Sequence, residues 1–271
     1  MKRITLVCIV LVSLLLQPTA GFAQNMKLAL DGEEWAGVAE HPVKGRQGIL
    51  IKQKLSFGEF HTLVVDRSWT KGSSFSVGLS QGLPTDADYK RIVTSEKIKK
   101  KQTLYFALAD SLGNEARAHC MTDFKSKDFM LGDNPVSIIN IFGDILGVGD
   151  ESSSFFYARI YNAQNSQAWE LMLDNQEAQA KPKTYVGYLS KSKEEYYTIA
   201  PLSKVVSKKG KKGVMPFGSA GFEVRNKEGK ALAAVSLIDN GVVYLMDMSP
   251  EERVLLSGAL AALLLQEQIG S

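Results

Sequence analysis

Residues able to do chemistry are few in this 271-residue chain, and their spacing is poor. The only histidines are His41, His61 and His119. No two are spaced as a metal pair, and His-Glu-x-x-His is absent. His119 is followed by Cys120. On a strand, neighbours point to opposite faces, so these two cannot form a thiolate–imidazole pair. Without an electropositive setting, Cys120 reads as a small buried hydrophobe. Gly-x-Ser-x-Gly does not occur, and Gly218-Ser219-Ala220-Gly221 reads as a turn before a strand at Phe222. Gly210-Lys211-Lys212-Gly213 lacks the long glycine spacing and the Ser/Thr of a phosphate-binding loop. Asp86 with Asp88, and Asp31 with Glu33 and Glu34, read as solvated acidic loops rather than a calcium loop. The expectation is a protein that is not an enzyme and needs no metal or cofactor.

Local charge is more informative. Lys97, Lys99, Lys100 and Lys101 form one cluster, and Lys204, Lys208, Lys209, Lys211 and Lys212 another. As solvated loops they would keep strand edges from aggregating. If they converge, they make an anion-binding rim, with Lys97, Lys99, Lys100, Lys101, Lys208, Lys209, Lys211 and Lys212 as its contacts. Anionic lipid head groups or acidic polysaccharide are the partners such a rim would take. Trp69, in Asp66-Arg67-Ser68-Trp69, reads as an aromatic closing the core at a strand end rather than as a ligand contact.

The first 23 residues have the three parts of an export signal. Lys2 and Arg3 are followed by the apolar run Leu6 to Leu16, and Gly21-Phe22-Ala23 supplies small residues before Gln24. The run is shorter than the roughly 20 residues of a membrane span. The expected products are a signal peptide over 1–23 and a single β-rich domain over 24–271, periplasmic or extracellular, with no transmembrane span. Losing Lys2 and Arg3 takes the basic residues from 32 to 30 against 29 acidic ones, leaving a formal charge of +1. That balance gives no electrostatic footprint for nucleic acid. Cys120 is then the only cysteine, so no internal disulfide forms and the core must hold the fold.

Strand patterns dominate. Phe60 to Val65 is β-branched and aromatic, and Thr103–Ala109 and Arg117–Met121 flank the turn formers Asp110 to Asn114. Phe155–Tyr161 with Gln167–Leu173, and Phe222–Arg225 with Ala231–Ile238, repeat that layout. Asp239-Asn240-Gly241 then turns into a strand over Val242–Met246, with Asn-Gly expected to supply the positive φ angles. These hairpins predict an antiparallel meander. Two segments break the pattern. Residues 135–147, opened by Asn134-Pro135, have the spacing of a short amphipathic helix. At the C-terminus, Ser249-Pro250-Glu251-Glu252 is a helix start, with Ser249 as cap and Glu252 expected to bond back to it. Val254 to Leu265 carries no charge on any face, and a helix apolar all round is buried on all sides. In a β-rich chain it belongs inside a closed barrel or against a strongly curved sheet.

The end of the chain, with Phe222–Arg225, Ala231–Ile238, Val242–Met246 and then a capped apolar helix, resembles the tubby C-terminal-like domains. That superfamily comprises tubby proteins, phospholipid scramblases and LURP-one-related proteins. The resemblance covers about residues 219–268. It implies a closed antiparallel barrel of about twelve strands threaded by a hydrophobic C-terminal helix. Tubby domains bind phosphoinositides through basic residues, but no named motif for that maps onto this sequence. An export signal also departs from their cytosolic setting. The expected fold is therefore a single antiparallel β-barrel-like domain with a buried C-terminal helix. The expected role is an exported non-enzymatic binding module for anionic lipid or another envelope component. The alternative is a lipocalin-like or lipoprotein-carrier-like transporter of an apolar ligand. The two differ in whether the helix or a cargo fills the barrel.

Overall fold

The computed structural model describes residues 26–46, 53–70, 101–124, 155–162, 167–215 and 218–266. The readings made for the leader 1–23, the helix 135–147, Asp86 and Asp88 lie outside them. The strands are β1 (Met26–Leu28), β2 (Glu40–Pro42), β3 (Ser56–Phe57), β4 (Phe60–Thr70), β5 (Lys101–Ala109), β6 (Glu115–Phe124), β7 (Phe155–Asn162) and β8 (Trp169–Asp174). They continue as β9 (Gly187–Ser190), β10 (Tyr196–Leu202), β11 (Lys204–Ser207), β12 (Lys212–Val214), β13 (Gly221–Arg225), β14 (Ala231–Ser236) and β15 (Val242–Leu245). Helix α1 spans Asn175–Ala180 and α2 spans Pro250–Leu265.

Twelve strands make one antiparallel sheet, ordered β2-β15-β14-β13-β10-β9-β8-β7-β6-β5-β4-β3. Its outermost strands come together where Lys44, just past β2, and Ser56 of β3 exchange backbone hydrogen bonds of 2.9 and 3.0 Å. The sheet therefore nearly closes into a barrel. Period-2 alternation sends Leu104, Phe106 and Leu108 of β5, Ala116, Ala118 and Cys120 of β6, and Phe156, Ala158 and Ile160 of β7 to the interior.

Helix α2 fills that interior. Every residue from Val254 to Leu265 is buried, and all but Ser257 and Gly258 belong to the same apolar cluster as the inner strand faces. The small residues explain how the helix fits. A Cβ on Gly258 would lie 3.1 Å from the Ala116 methyl and 3.3 Å from Ile160 Cγ2, so glycine there lets the helix approach β6 and β7 without crowding them. The helix begins as its sequence predicts, with the Ser249 hydroxyl accepting from the Glu252 N–H and Pro250 in the first turn. The reciprocal half of the capping box is different. The Glu252 carboxylate accepts from the Tyr197 hydroxyl at 2.9 Å, tying the helix start to β10 instead of to its own cap. Arg253 reaches Glu59 in the β3–β4 turn at 2.6 Å.

The far end of α2 is buried with its last carbonyls unsatisfied by the helix itself, and it has no basic residue in its last turn. Two arginines from the wall supply donors. Arg46 Nε donates to Leu264 O at 3.0 Å, and Arg67 Nη2 donates to Leu265 O at 2.6 Å.

A second, smaller sheet, β1-β11-β12, lies on the outside. Leu28, Trp35 and Val205 pack with Ala231, Ala234 and Tyr244 into a separate apolar cluster that holds it against β14 and β15. The Trp35 indole N–H donates to the buried Glu223 carboxylate at 2.8 Å.

Candidate functional site

The second lysine cluster lies on a β-hairpin, with Lys208, Lys209 and Lys211 in the exposed turn ahead of β12. Lys204 opens β11, Lys212 opens β12, and Val205 faces Gly213 in register. The reversal over Lys208-Lys209-Gly210 is built locally. Gly210 N–H donates to Ser207 O at 2.8 Å, and Ser207 N–H to Lys211 O at 2.9 Å. Gly210 sits at φ 77, a left-handed conformation that glycine takes without a Cβ clash. The result is an exposed turn carrying Lys208, Lys209, Lys211 and Lys212. None of the four is ion-paired to a carboxylate among the described residues. Two further lysines of the sheet are neutralised, Lys204 by Asp31 and Lys27 by Glu40 at 2.9 Å. Within this sheet the uncompensated positive charge therefore lies at the turn.

Of the first lysine cluster, Lys97, Lys99 and Lys100 lie outside the described residues, and Lys101 is the first residue of β5, opposite Thr70. Arg67 of β4, three residues before Thr70, binds the C-terminal end of α2. Arg46 bridges that same helix end to Leu237 O, and Leu237 N–H donates to Ala220 O beside the root of the lysine hairpin. Lys101 and the hairpin root therefore share one rim of the barrel. Four strands stand between β5 and β10 on the sheet, about 24 Å at ordinary strand spacing.

A second polar group, which sequence reading missed, runs across the outer face of the wall. Strand register lines up Asp66, Tyr105, His119, Arg159, Glu170, Ser190 and Tyr196 on seven consecutive strands. Its centre is buried and satisfied internally. Glu170 Oε1 accepts from Arg159 at 3.0 Å and from the Tyr157 hydroxyl at 2.8 Å. Burial works against the Arg159 charge, but Tyr157, Glu170 and Tyr161 outweigh it and hold the guanidinium protonated. His119 lies against the Tyr105 ring at 4.8 Å. Burial, reinforced by Arg159 and Arg117, lowers its imidazole to about 4, so it is neutral at pH 7. The signal that marks this row is the second phase of the alternation. Tyr157-x-Arg159-x-Tyr161 puts polar and aromatic residues on every outward position of a strand whose inward positions are apolar.

Cys120 points into the core, opposite to His119, and burial pushes its thiol well up. Asp31 pairs with Lys204, and Glu34 lies 3.7 Å from Arg225. Trp69 lies in β4 opposite Gln102. Ser219 precedes β13, as its flanking glycines suggested. Among the described residues no group of three or more His, Cys, Asp or Glu is placed to hold a metal ion. Among them, too, no helix is long and apolar enough to cross a membrane. Comparison with protein-family models, with curated proteins and with solved structures finds no match.

Proposed function

We propose that this chain is an exported, non-enzymatic binding module that attaches to an anionic envelope surface, lipid or acidic polysaccharide, through Lys208, Lys209, Lys211 and Lys212. The observation that carries the reading is the four-lysine turn, exposed and without carboxylate partners among the described residues. Clustered positive charge of this kind attracts an anionic surface by about 1 kcal/mol per lysine. A surface site is favoured over a cargo cavity because α2 occupies the volume a carrier would give to an apolar ligand. The resemblance to tubby-like domains belongs to the same reading. Its support is architectural: twelve antiparallel strands around an apolar C-terminal helix. Co-sedimentation with phosphatidylglycerol-containing vesicles, with phosphatidylcholine vesicles and with an acidic polysaccharide tests it. Binding to either anionic partner and not to neutral vesicles is the expected result; no anion-dependent binding would overturn it.

A further inference from the structure

The small sheet has two unlike faces. Met26, Leu28 and Val205 turn inward onto the barrel. The outward face carries Lys27, Lys204, Val206, Lys212 and Val214, because Lys27 pairs with Val206, Val206 with Lys212, and Lys204 with Val214. Val214 is 62% exposed, one of the few large apolar side chains left in water among the described residues. It stands opposite Lys204 and two residues from Lys212, on the strand that leads away from the lysine turn.

Resting on the proposed attachment through this turn, we propose that the outward face of β1-β11-β12 docks on an anionic lipid bilayer at its lysine-turn end, with Val214 entering the head-group region and Lys208, Lys209, Lys211 and Lys212 reaching phosphate, while Lys27 and Lys204 stay paired with Glu40 and Asp31. Three arguments favour a bilayer over an acidic protein or a soluble polyanion. Lysine with aliphatic side chains is a composition that protein interfaces avoid, since their anchors are Trp, Tyr and Arg. A membrane surface rewards it, because lysine stems lie along apolar surface while the ammonium groups stay at the phosphates. A polysaccharide would use the charge but leave Val214 in water.

The test uses protein recovered from export, with a Val214→Cys substitution labelled by an environment-sensitive fluorophore. A matching label at Leu112→Cys, in the exposed β5–β6 turn, is the control; Cys120 is buried and stays unlabelled. On phosphatidylglycerol-containing vesicles the label at 214 should shift to the blue and be quenched by spin-labelled lipid. The label at 112 should do neither, and neither label should respond to phosphatidylcholine alone. Val214→Ser should weaken vesicle binding several-fold at an unchanged melting temperature. Failure of the unlabelled protein to bind any anionic partner would remove the attachment itself. Lysine-dependent vesicle binding with a water-exposed label at 214 would keep the attachment and overturn the docking face. Binding to polyglutamate as tight as to vesicles would also overturn it, in favour of an acidic polypeptide.

Discussion

Arg67 donates from Nη2 to the carbonyl oxygen of Leu265 at 2.6 Å, joining the wall strand β4 to the last turn of the helix inside the barrel. The side chain points inward because of a bulge. Thr62 pairs with Leu108 and Val64 with Ala107, which leaves Leu63 without a partner in the register. Before the bulge Phe60 and Thr62 face the core. After it the phase has moved by one, and Val65 and Arg67 do.

A guanidinium capping a buried helix terminus replaces water that cannot reach the site. Arg67→Met should therefore lower stability by about 1.5–3 kcal/mol, the range for hydrogen bonds from charged groups. Urea denaturation checks this, through a lower midpoint at an unchanged slope. A midpoint equal to that of the wild type would mean that the carbonyl finds another donor.

The helix itself tolerates little change. Leu260 is fully buried within the barrel. Leu260→Ala should cost about 2–5 kcal/mol, and Leu260→Asp should prevent folding, since an unpaired carboxylate would enter an apolar core. At Gly258 the danger is the reverse. A branched side chain would press on Ala116 and Ile160, and Gly258→Val should cost about 1–3 kcal/mol by overpacking. Thermal melts of the three variants read these effects, and a normally stable Leu260→Asp protein would contradict the placement of the helix.

Stability should also depend on pH through His119. Its folded imidazole is held at about 4, below the ordinary 6.5, by burial and by the nearby Arg159 and Arg117. Between these values the unfolded chain binds a proton that the folded chain does not. The contribution is complete above about 6.5 and is lost as the pH falls toward 4, to the extent of about 3 kcal/mol. His119→Gln should flatten the decline in unfolding free energy between pH 7 and 4. An identical decline in the variant would assign the pH dependence to other groups.

The sequence makes some of these features plain and hides others. Helix α2 is legible because a cap, a proline and an uncharged run coincide in one segment. The hairpins β5–β6, β7–β8 and β13–β14 are legible because each has a strong turn between apolar strands. In the turn before β15, Asp239 and Gly241 take the positive φ angles, not Asn240, since the local hydrogen bond from Gly241 N–H to Ile238 O selects the conformation. Strands β1, β2, β9 and β12 are only three or four residues long, and nothing local distinguishes them from loop. Arg67 reads as a polar residue beside Trp69, because a bulge leaves no mark in an alternation pattern. The lysine turn is visible as composition, but that it tips a hairpin on a separate sheet depends on the pairing of β11 with β1, Lys27 with Val206, across 179 residues of chain.

The central claim is that the lysine turn makes the contact with an anionic surface. Its most direct measurement is vesicle co-sedimentation of the wild type beside a variant with Lys208, Lys209, Lys211 and Lys212 all replaced by Gln, at low and high salt. The wild type should bind phosphatidylglycerol-containing vesicles at low salt and release them as the screening length falls from about 10 Å at 0.1 M toward about 3 Å at 1 M. The variant should bind far more weakly at low salt and melt at the same temperature, since the four lysines are exposed. Equal binding by the two proteins at low salt would contradict the claim.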